Sequence, residues 1–143
     1  MNLRYGHVAI RARDIEETAR FYREVMGMEE AFRMYNTPDG GVGTVYMILA
    51  PGQFLEIFRG GTEMVEQTDK TIGVVHLCFE VEDIGKAQEE LRAKGAPIDQ
   101  EVKLGHSRCL QFWTHDPDGN KIELMELPPD SMQAEANRRF IGT

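Results

Sequence analysis

The sequence has few cysteines, few aromatic residues and fewer basic than acidic side chains. Its 143 residues include only two cysteines, Cys78 and Cys109, which are too few for a disulfide framework. Sixteen basic residues against 24 acidic ones leave a net charge of −8, which argues against a nucleic-acid or anionic-membrane partner. No apolar run approaches the roughly 20 residues of a membrane span, and the N-terminus lacks a signal peptide's apolar core. We therefore expect a cytoplasmic protein that acts on a small-molecule substrate.

An internal repeat is the most informative feature of the chain. Asp14 follows His7 by seven residues, and Asp83 follows His76 by the same interval. After each aspartate comes a helical pattern, then a glycine, and finally an apolar strand that carries one glutamate. Agreement at so many landmarks indicates two homologous modules in one domain. The later landmarks are Gly27 and Glu56 in the first copy, and Gly95 and Glu123 in the second.

Each copy predicts the element order βαβββ. The aspartates are suitable helix N-caps, because a carboxylate can accept hydrogen bonds from the first amides of a helix, and the glycines are suitable helix stops. We expect a single domain over 1–128, made of modules at about 5–60 and 74–127, with a tail at 129–143 that forms a short amphipathic helix. The predicted elements are strands at 5–12, 29–35, 42–50 and 53–59 around a helix at 16–26, and strands at 74–81, 98–104, 108–114 and 120–127 around a helix at 85–94.

Strand alternation predicts where the polar side chains point. Each strand has one strongly aliphatic face, which should meet the helices, and one face with polar and aromatic residues, which should line a concave cavity. His7, Glu56, His76 and Glu123 all fall on the second kind of face, so we expect them to converge. Two imidazoles with two carboxylates suit one Ni, Co, Zn, Mn or Fe ion rather than Ca or Mg. The alternative is two unrelated structural histidines and two surface glutamates.

Other residues on the same faces are candidates for binding the substrate. Arg11 would clamp an anionic group of the substrate, or it would pair with Glu80. Phe54 and Phe58 would belong to the core or form the floor of the substrate pocket. Cys78 would lie near the metal, although a small buried hydrophobic residue is the more typical role of a free cysteine.

The pattern resembles the vicinal oxygen chelate superfamily, which includes glyoxalase I, methylmalonyl-CoA epimerase, extradiol dioxygenases and bleomycin-resistance proteins. The resemblance covers essentially residues 5–127. It implies an α+β fold in which two paired βαβββ modules form a curved, partly open barrel around a metal site, commonly in a homodimer. The segments that carry it are His7-Val-Ala-Ile-Arg11, Asp14 to Gly27, Phe54-Leu-Glu56, His76-Leu-Cys-Phe79 and Asp116-Pro-Asp-Gly-Asn-Lys-Ile-Glu123.

The order His, Glu, His, Glu resembles the ligand set of bacterial-type glyoxalase I, and Arg11 matches an arginine that holds glutathione there. That family's asparagine four residues after the first glutamate is Gly60 here, so the resemblance does not extend to that contact. It implies a metal-dependent lyase or isomerase that acts through a metal-stabilised enediolate on a substrate with two adjacent oxygens. Glu123, or Glu56 in the symmetry-related position, would be the base. The alternatives are a metal-dependent epimerase, an Fe(II) extradiol-type dioxygenase, and a resistance protein that binds a drug or metabolite.

Overall fold

The predicted order of elements, βαβββ twice and then a helix, is confirmed in a computed structural model that describes residue 1 and residues 3–141. The first half contains one helix and four strands, and the second half repeats them. The elements are β1 His7–Arg11, α1 Ile15–Arg20 continued by a π-helical turn Phe21–Val25, β2 Glu29–Met34, β3 Thr44–Ala50, β4 Gln53–Phe58, β5 Leu77–Glu80, α2 Ile84–Ala93, β6 Gln100–Leu104, β7 Leu110–His115, β8 Lys121–Glu126 and α3 Met132–Ile141.

The strands form two four-stranded mixed sheets. Their orders are β1-β4-β3-β2 and β5-β8-β7-β6, with β1 parallel to β4 and β5 parallel to β8. The other pairs are antiparallel. Each sheet is open, with its first strand at one edge, and neither sheet is closed into a barrel. The predicted α+β class and the repeated modules are confirmed.

Several elements are shorter than the sequence predicted. The run at 74–81 forms a strand only over Leu77–Glu80, because its pairing with β8 extends over four residues, and His76 therefore comes immediately before the strand. The run at 5–12 forms a strand only over His7–Arg11. The first helix, predicted over 16–26, changes after Arg20 to π-helical hydrogen bonding, in which the Met26 amide donates to the Phe21 carbonyl at 3.2 Å.

Both predicted N-caps are confirmed. The Asp14 carboxylate accepts hydrogen bonds from the amides of Glu16 and Glu17, at 3.0 and 3.1 Å, and Asp83 accepts one from the Lys86 amide at 2.9 Å. These contacts satisfy amides that have no partner inside the helix. In both halves the capped helix begins after a connection of three residues, the last of which is the capping aspartate.

The core consists of the aliphatic faces identified from alternation. α1 contacts β3 and β4, and α2 contacts β6, β7 and β8. Successive strand residues point to opposite faces of a sheet. Because the aliphatic side chains are buried against the helices, the other face of each sheet carries the polar and aromatic residues. We call that other face the open face. The buried strand residues include Val45, Met47, Leu55, Ile57, Phe112, Ile122 and Leu124.

The chain divides into two compact units. The first contains Met1–Thr71 together with Asp116–Asp118, and the second contains Ile72–His115 and Gly119–Thr143. The predicted C-terminal helix is present as Met132–Ile141, in the second unit, and residues 142–143 of the predicted tail lie outside the described residues. Among the described helices, none is both long enough and apolar enough to cross a bilayer.

Candidate metal centre

His7 and Glu56 form a close pair on the open face of the first unit. In the parallel pairing of β1 with β4, Glu56 is the register partner of Ala9, two residues after His7. Alternation therefore places both side chains on one face, and His7 Nε2 lies 3.2 Å from Glu56 Oε2. Glu56 is buried, at 7% exposure, whereas the His7 side chain is 46% exposed. We call this the first pair.

The second unit repeats this geometry with His76 and Glu123. Glu123 on β8 is the register partner of Cys78, again two residues after the histidine. His76 Nε2 lies 3.1 Å from Glu123 Oε2, and the imidazole is about one-third exposed. We call this the second pair. The two copies of the sequence repeat thus place their histidine and glutamate side chains in the same arrangement, with nearly equal Nε2–Oε2 distances.

An aromatic ring supports the histidine of each pair. The register partner of Glu56 on β3 is Tyr46, whose ring lies edge-on to His7 with centroids 5.7 Å apart. The register partner of Glu123 on β7 is Trp113, whose ring lies edge-on to His76 at 4.9 Å. Sequence reasoning did not assign Tyr46 to the site. Strand alternation could have identified it. Val45 and Met47, the neighbours of Tyr46 on β3, are buried in the core, so the Tyr46 side chain points to the open face.

The remaining predicted residues of the first unit also lie on the open face. Arg11 donates from Nη1 to the Arg59 carbonyl at 2.9 Å, and its guanidinium carbon lies 5.3 Å from the centre of the Phe58 ring. Phe54 is the register partner of His7 and packs edge-on against Tyr46 at 6.4 Å. Both phenylalanines are half-buried. They therefore border the first pair rather than filling the core.

In the second unit, Cys78 and Glu80 are two residues apart on β5 and are both exposed. The expectation that Cys78 is a buried hydrophobic residue is wrong, because the side chains on its face of the strand are not covered by α2. Desolvation first, and then the charge of Glu123, raise the pKa of Cys78 to about 12. A thiol in this position is neutral at pH 7.

The donor atoms of each pair fit a bound transition-metal ion. Consider two ligand atoms that each lie about 2.1 Å from the same metal ion. They are about 3.0 Å apart when the ligand–metal–ligand angle is the right angle of an octahedron, and about 3.4 Å apart when it is the tetrahedral angle. The separations of 3.2 and 3.1 Å fall between these values. Within the described part of each unit, no third His, Cys, Asp or Glu joins the pair to form a group that would hold an ion. Each unit thus offers two ligands, and convergence of all four stays a prediction.

The Asp116–Asp118 segment contributes to the first unit one buried carboxylate, that of Asp116, and one partly buried carboxylate, that of Asp118. The Tyr22 hydroxyl donates to Asp116 Oδ2 at 3.0 Å, and the Thr18 hydroxyl donates to Asp118 Oδ2 at 3.2 Å. The Arg13 amide also donates to the Asp118 carboxylate. Sequence reasoning identified this segment only as part of the Asp116–Glu123 stretch that carries the family resemblance. It missed these contacts, because no local pattern predicts a hydrogen bond between residues about a hundred positions apart.

Comparisons with known proteins agree with this architecture. A family model described as Glyoxalase/Bleomycin resistance protein/Dioxygenase superfamily matches residues 4–124. An ethylmalonyl-CoA/methylmalonyl-CoA epimerase of Cereibacter sphaeroides is 35% identical over 132 residues, which cover 87% of this chain and 96% of the epimerase. A lactoylglutathione lyase of Arabidopsis thaliana is 30% identical over 136 residues, which cover 90% of this chain but only 46% of the lyase.

A solved structure shares the fold. The glyoxalase family protein from Enterococcus faecalis superposes with a TM-score of 0.73 at 27% identity, covering 85% of this chain and 95% of that protein. The family match spans most of the sequence and includes both pairs. This chain therefore belongs to the glyoxalase/bleomycin resistance protein/dioxygenase superfamily.

Proposed function

We propose that this protein is a divalent-metal-dependent lyase or isomerase that moves a proton at the carbon next to a carbonyl group. The observation that carries the proposal is the duplicated pair, in which each unit holds an imidazole nitrogen within 3.2 Å of a carboxylate oxygen. One ion would be held by His7, Glu56, His76 and Glu123, from one chain or from two chains of a homodimer. When bound, a Ni, Co, Zn, Mn or Fe ion would supply Lewis acidity that makes the neighbouring C–H more acidic.

The proton transfer itself belongs to a carboxylate. Glu123 is our candidate for the base, and its register partner on β5 is Cys78, whose thiol is only a weak hydrogen-bond donor. Glu123 would turn towards the substrate carbon, take its proton and return it to the adjacent carbon, which is an isomerisation. General-base catalysis typically contributes about 10²–10⁴-fold to a rate. Glu123→Gln should therefore lower kcat by that factor.

Residues next to the first pair would bind the rest of the substrate. A guanidinium has five N–H donors, one of which Arg11 gives to the Arg59 carbonyl. Arg11 would hold an anionic group of the substrate with the other donors. Phe54 and Phe58 would pack against apolar parts of the substrate, and Cys78 and Glu80 would contact it from the second unit.

Epimerisation is a second candidate, because the epimerase relative is matched over 96% of its length. In that reaction the proton would return to the same carbon from the opposite side. Two carboxylates in equivalent positions of the repeat suit this chemistry, since Glu56 would serve one face of the carbon and Glu123 the other.

Anaerobic assays on protein loaded with Ni, Co, Zn or Mn distinguish the candidates. The substrates are the hemithioacetal of methylglyoxal with glutathione, followed by thioester absorbance, and methylmalonyl-CoA, followed by loss of optical purity. We expect turnover of one substrate without oxygen, and strongly reduced turnover in Glu56→Gln. Glu63→Gln, which changes an exposed loop glutamate, is the matched control.

Other outcomes would contradict the proposal. Activity that requires oxygen would identify a dioxygenase. Tight binding of a small molecule without turnover would identify a resistance-type binding protein. Full activity of Glu56→Gln would show that this carboxylate is not needed for the reaction, and it would contradict the assignment as a lyase or isomerase.

A further inference from the structure

A histidine and an aspartate outside the two pairs contact each other in the second unit. Nδ1 of His115 lies 2.8 Å from Asp99 Oδ2 and 3.0 Å from Asp99 Oδ1. An ionised carboxylate only accepts hydrogen bonds, so Nδ1 carries the hydrogen, and Nε2 of the neutral ring is then an acceptor. The Asp99 amide donates to the Trp113 carbonyl at 2.9 Å, which holds the aspartate beside β7. The contact thus fixes the tautomer of an imidazole whose side chain is 41% exposed.

Strand register places His115 close to the second pair. Thr114 is fully buried, so its neighbours Trp113 and His115 point to the open face. Trp113 is the register partner of Glu123, and His115 is the register partner of Lys121. His115 and Glu123 are therefore diagonal neighbours on adjacent strands, and residues in such positions lie about 7–8 Å apart. One small substrate could contact both side chains.

The first unit has apolar residues at the matching positions. Counted from the glutamate of each pair, His115 and Lys121 correspond to Ile48 and Phe54, which are likewise register partners. The repeat therefore has two apolar side chains in one unit where it has an imidazole and a lysine in the other. An exposed ion pair contributes at most about 1 kcal/mol to stability, so stability alone gives little reason for this difference. A chemical role that belongs to the second unit does give one.

We propose that His115 moves a proton between the two neighbouring oxygens of the substrate, while Glu123 moves a proton between the two carbons. The inference rests on the proposed function and names a second proton-transferring residue for it. In this isomerisation, the carbon that loses its hydrogen changes from a hydroxyl-bearing carbon to a carbonyl, and the adjacent carbonyl becomes a hydroxyl. One proton must therefore leave the first oxygen, and one must reach the second.

The imidazole can make both oxygen transfers and return to its starting state. Nε2 of His115 takes the proton of the first hydroxyl and gives it to the second oxygen, so the ring is neutral again and the protein gains no proton. Asp99 is a positioning residue, because its carboxylate keeps the hydrogen on Nδ1 and stabilises the imidazolium that forms between the two transfers. A histidine held by a carboxylate in this way is a common arrangement for acid–base catalysis.

His115→Ala with added imidazole tests the proposal in the metal-loaded protein, in the anaerobic assay with the hemithioacetal. We expect kcat to fall by about 10²–10⁴-fold, and added imidazole to restore part of it relative to wild type at the same imidazole concentration. A merely structural role would not respond to imidazole. His106→Ala changes an exposed histidine between β6 and β7, and this matched control should keep the wild-type kcat. Co²⁺ should bind His115→Ala as it binds wild type, because His115 is not a ligand.

Asp99→Asn tests the positioning role separately. Long-range ¹H–¹⁵N spectra of the full-length, metal-free protein report which ring nitrogen of His115 carries the hydrogen. We expect the Nδ1–H tautomer in wild type. In Asp99→Asn that tautomer should be less populated, since an amide can also donate to Nδ1. The same variant should lower kcat and leave KM unchanged.

Three results would count against the inference in different ways. An unchanged kcat in His115→Ala, or a loss that imidazole does not restore, would overturn the inference and leave the proposed lyase or isomerase intact. Turnover of methylmalonyl-CoA alone would also overturn it, because epimerisation moves no proton between oxygens. A wild-type protein that turns over neither substrate would overturn the proposed function and the inference with it.

Discussion

The buried hydrogen bond between Tyr22 and Asp116 supports a quantitative prediction. The Tyr22 side chain is fully buried, and its hydroxyl donates at 3.0 Å to a carboxylate that is 1% exposed. Tyr22→Phe keeps the ring and its apolar contacts but removes one charge-assisted hydrogen bond from that carboxylate. Such bonds contribute about 1.5–3 kcal/mol. We therefore expect the free energy of unfolding to fall by about 2 kcal/mol at neutral pH, and Tm to fall by about 6 °C.

The pH dependence of this effect has a definite sign. Burial first, and then the charge of Asp116 and the hydrogen bond to it, raise the pKa of Tyr22 well above its usual value near 10. The stabilisation is fully present below about pH 10 and is lost as the pH rises from there towards the folded-state pKa. A single such group lowers the free energy of unfolding by about 1.4 kcal/mol for each pH unit in this window. Phenylalanine has no proton to lose, so the variant lacks this decline.

Urea unfolding followed by circular dichroism, at about pH 7, pH 9 and pH 10.5, measures both effects. The difference between wild type and Tyr22→Phe should be constant at the two lower pH values and smaller at the highest. Tyr35→Phe should change stability by less than about 0.5 kcal/mol, as expected for an exposed position. A loss below about 0.5 kcal/mol in Tyr22→Phe, or a difference that does not shrink above pH 10, would refute the reasoning.

Two further predictions concern the second pair and the first helix. In metal-free protein at about pH 8, Cys78 should react with iodoacetamide on the order of 10²-fold more slowly than an ordinary cysteine, because its pKa of about 12 leaves little thiolate and the greater nucleophilicity of that thiolate offsets only part of the loss. Mass spectrometry measures the rate; Glu123→Gln should increase it, and reaction as fast as that of free cysteine would contradict the raised pKa. Asp14→Ala removes the N-cap of α1 and should cost about 1 kcal/mol in urea unfolding, whereas an unchanged midpoint would show that the cap contributes nothing.

The repeat made the two pairs predictable from sequence. A residue's face follows from strand alternation, so His7 and Glu56 could be assigned to one surface without coordinates. The spacing from His76 to Glu123 is close to that from His7 to Glu56, which predicted that the second pair would match the first. Both pairs are present, with similar separations. Local periodicity is sufficient for such a prediction because it depends only on the residue order within each strand.

Features that depend on distant contacts were not predictable. The buried bond from Tyr22 to Asp116 joins residues 94 positions apart, and nothing in the local sequence of either residue indicates the other. The exposure of Cys78 depends on which face of its sheet α2 covers, so residue type alone predicted the wrong environment. The π-helical turn Phe21–Val25 likewise has no signature in the apolar stripe that predicted the helix.

The stoichiometry of metal binding tests the central claim most directly. Isothermal titration of the metal-free protein with Co²⁺ should give one ion per chain, because two ligands from the first pair and two from the second would complete a single site. His7→Ala and His76→Ala should each weaken that one event. Two ions per chain, no binding, or unchanged binding in either histidine variant would contradict the account.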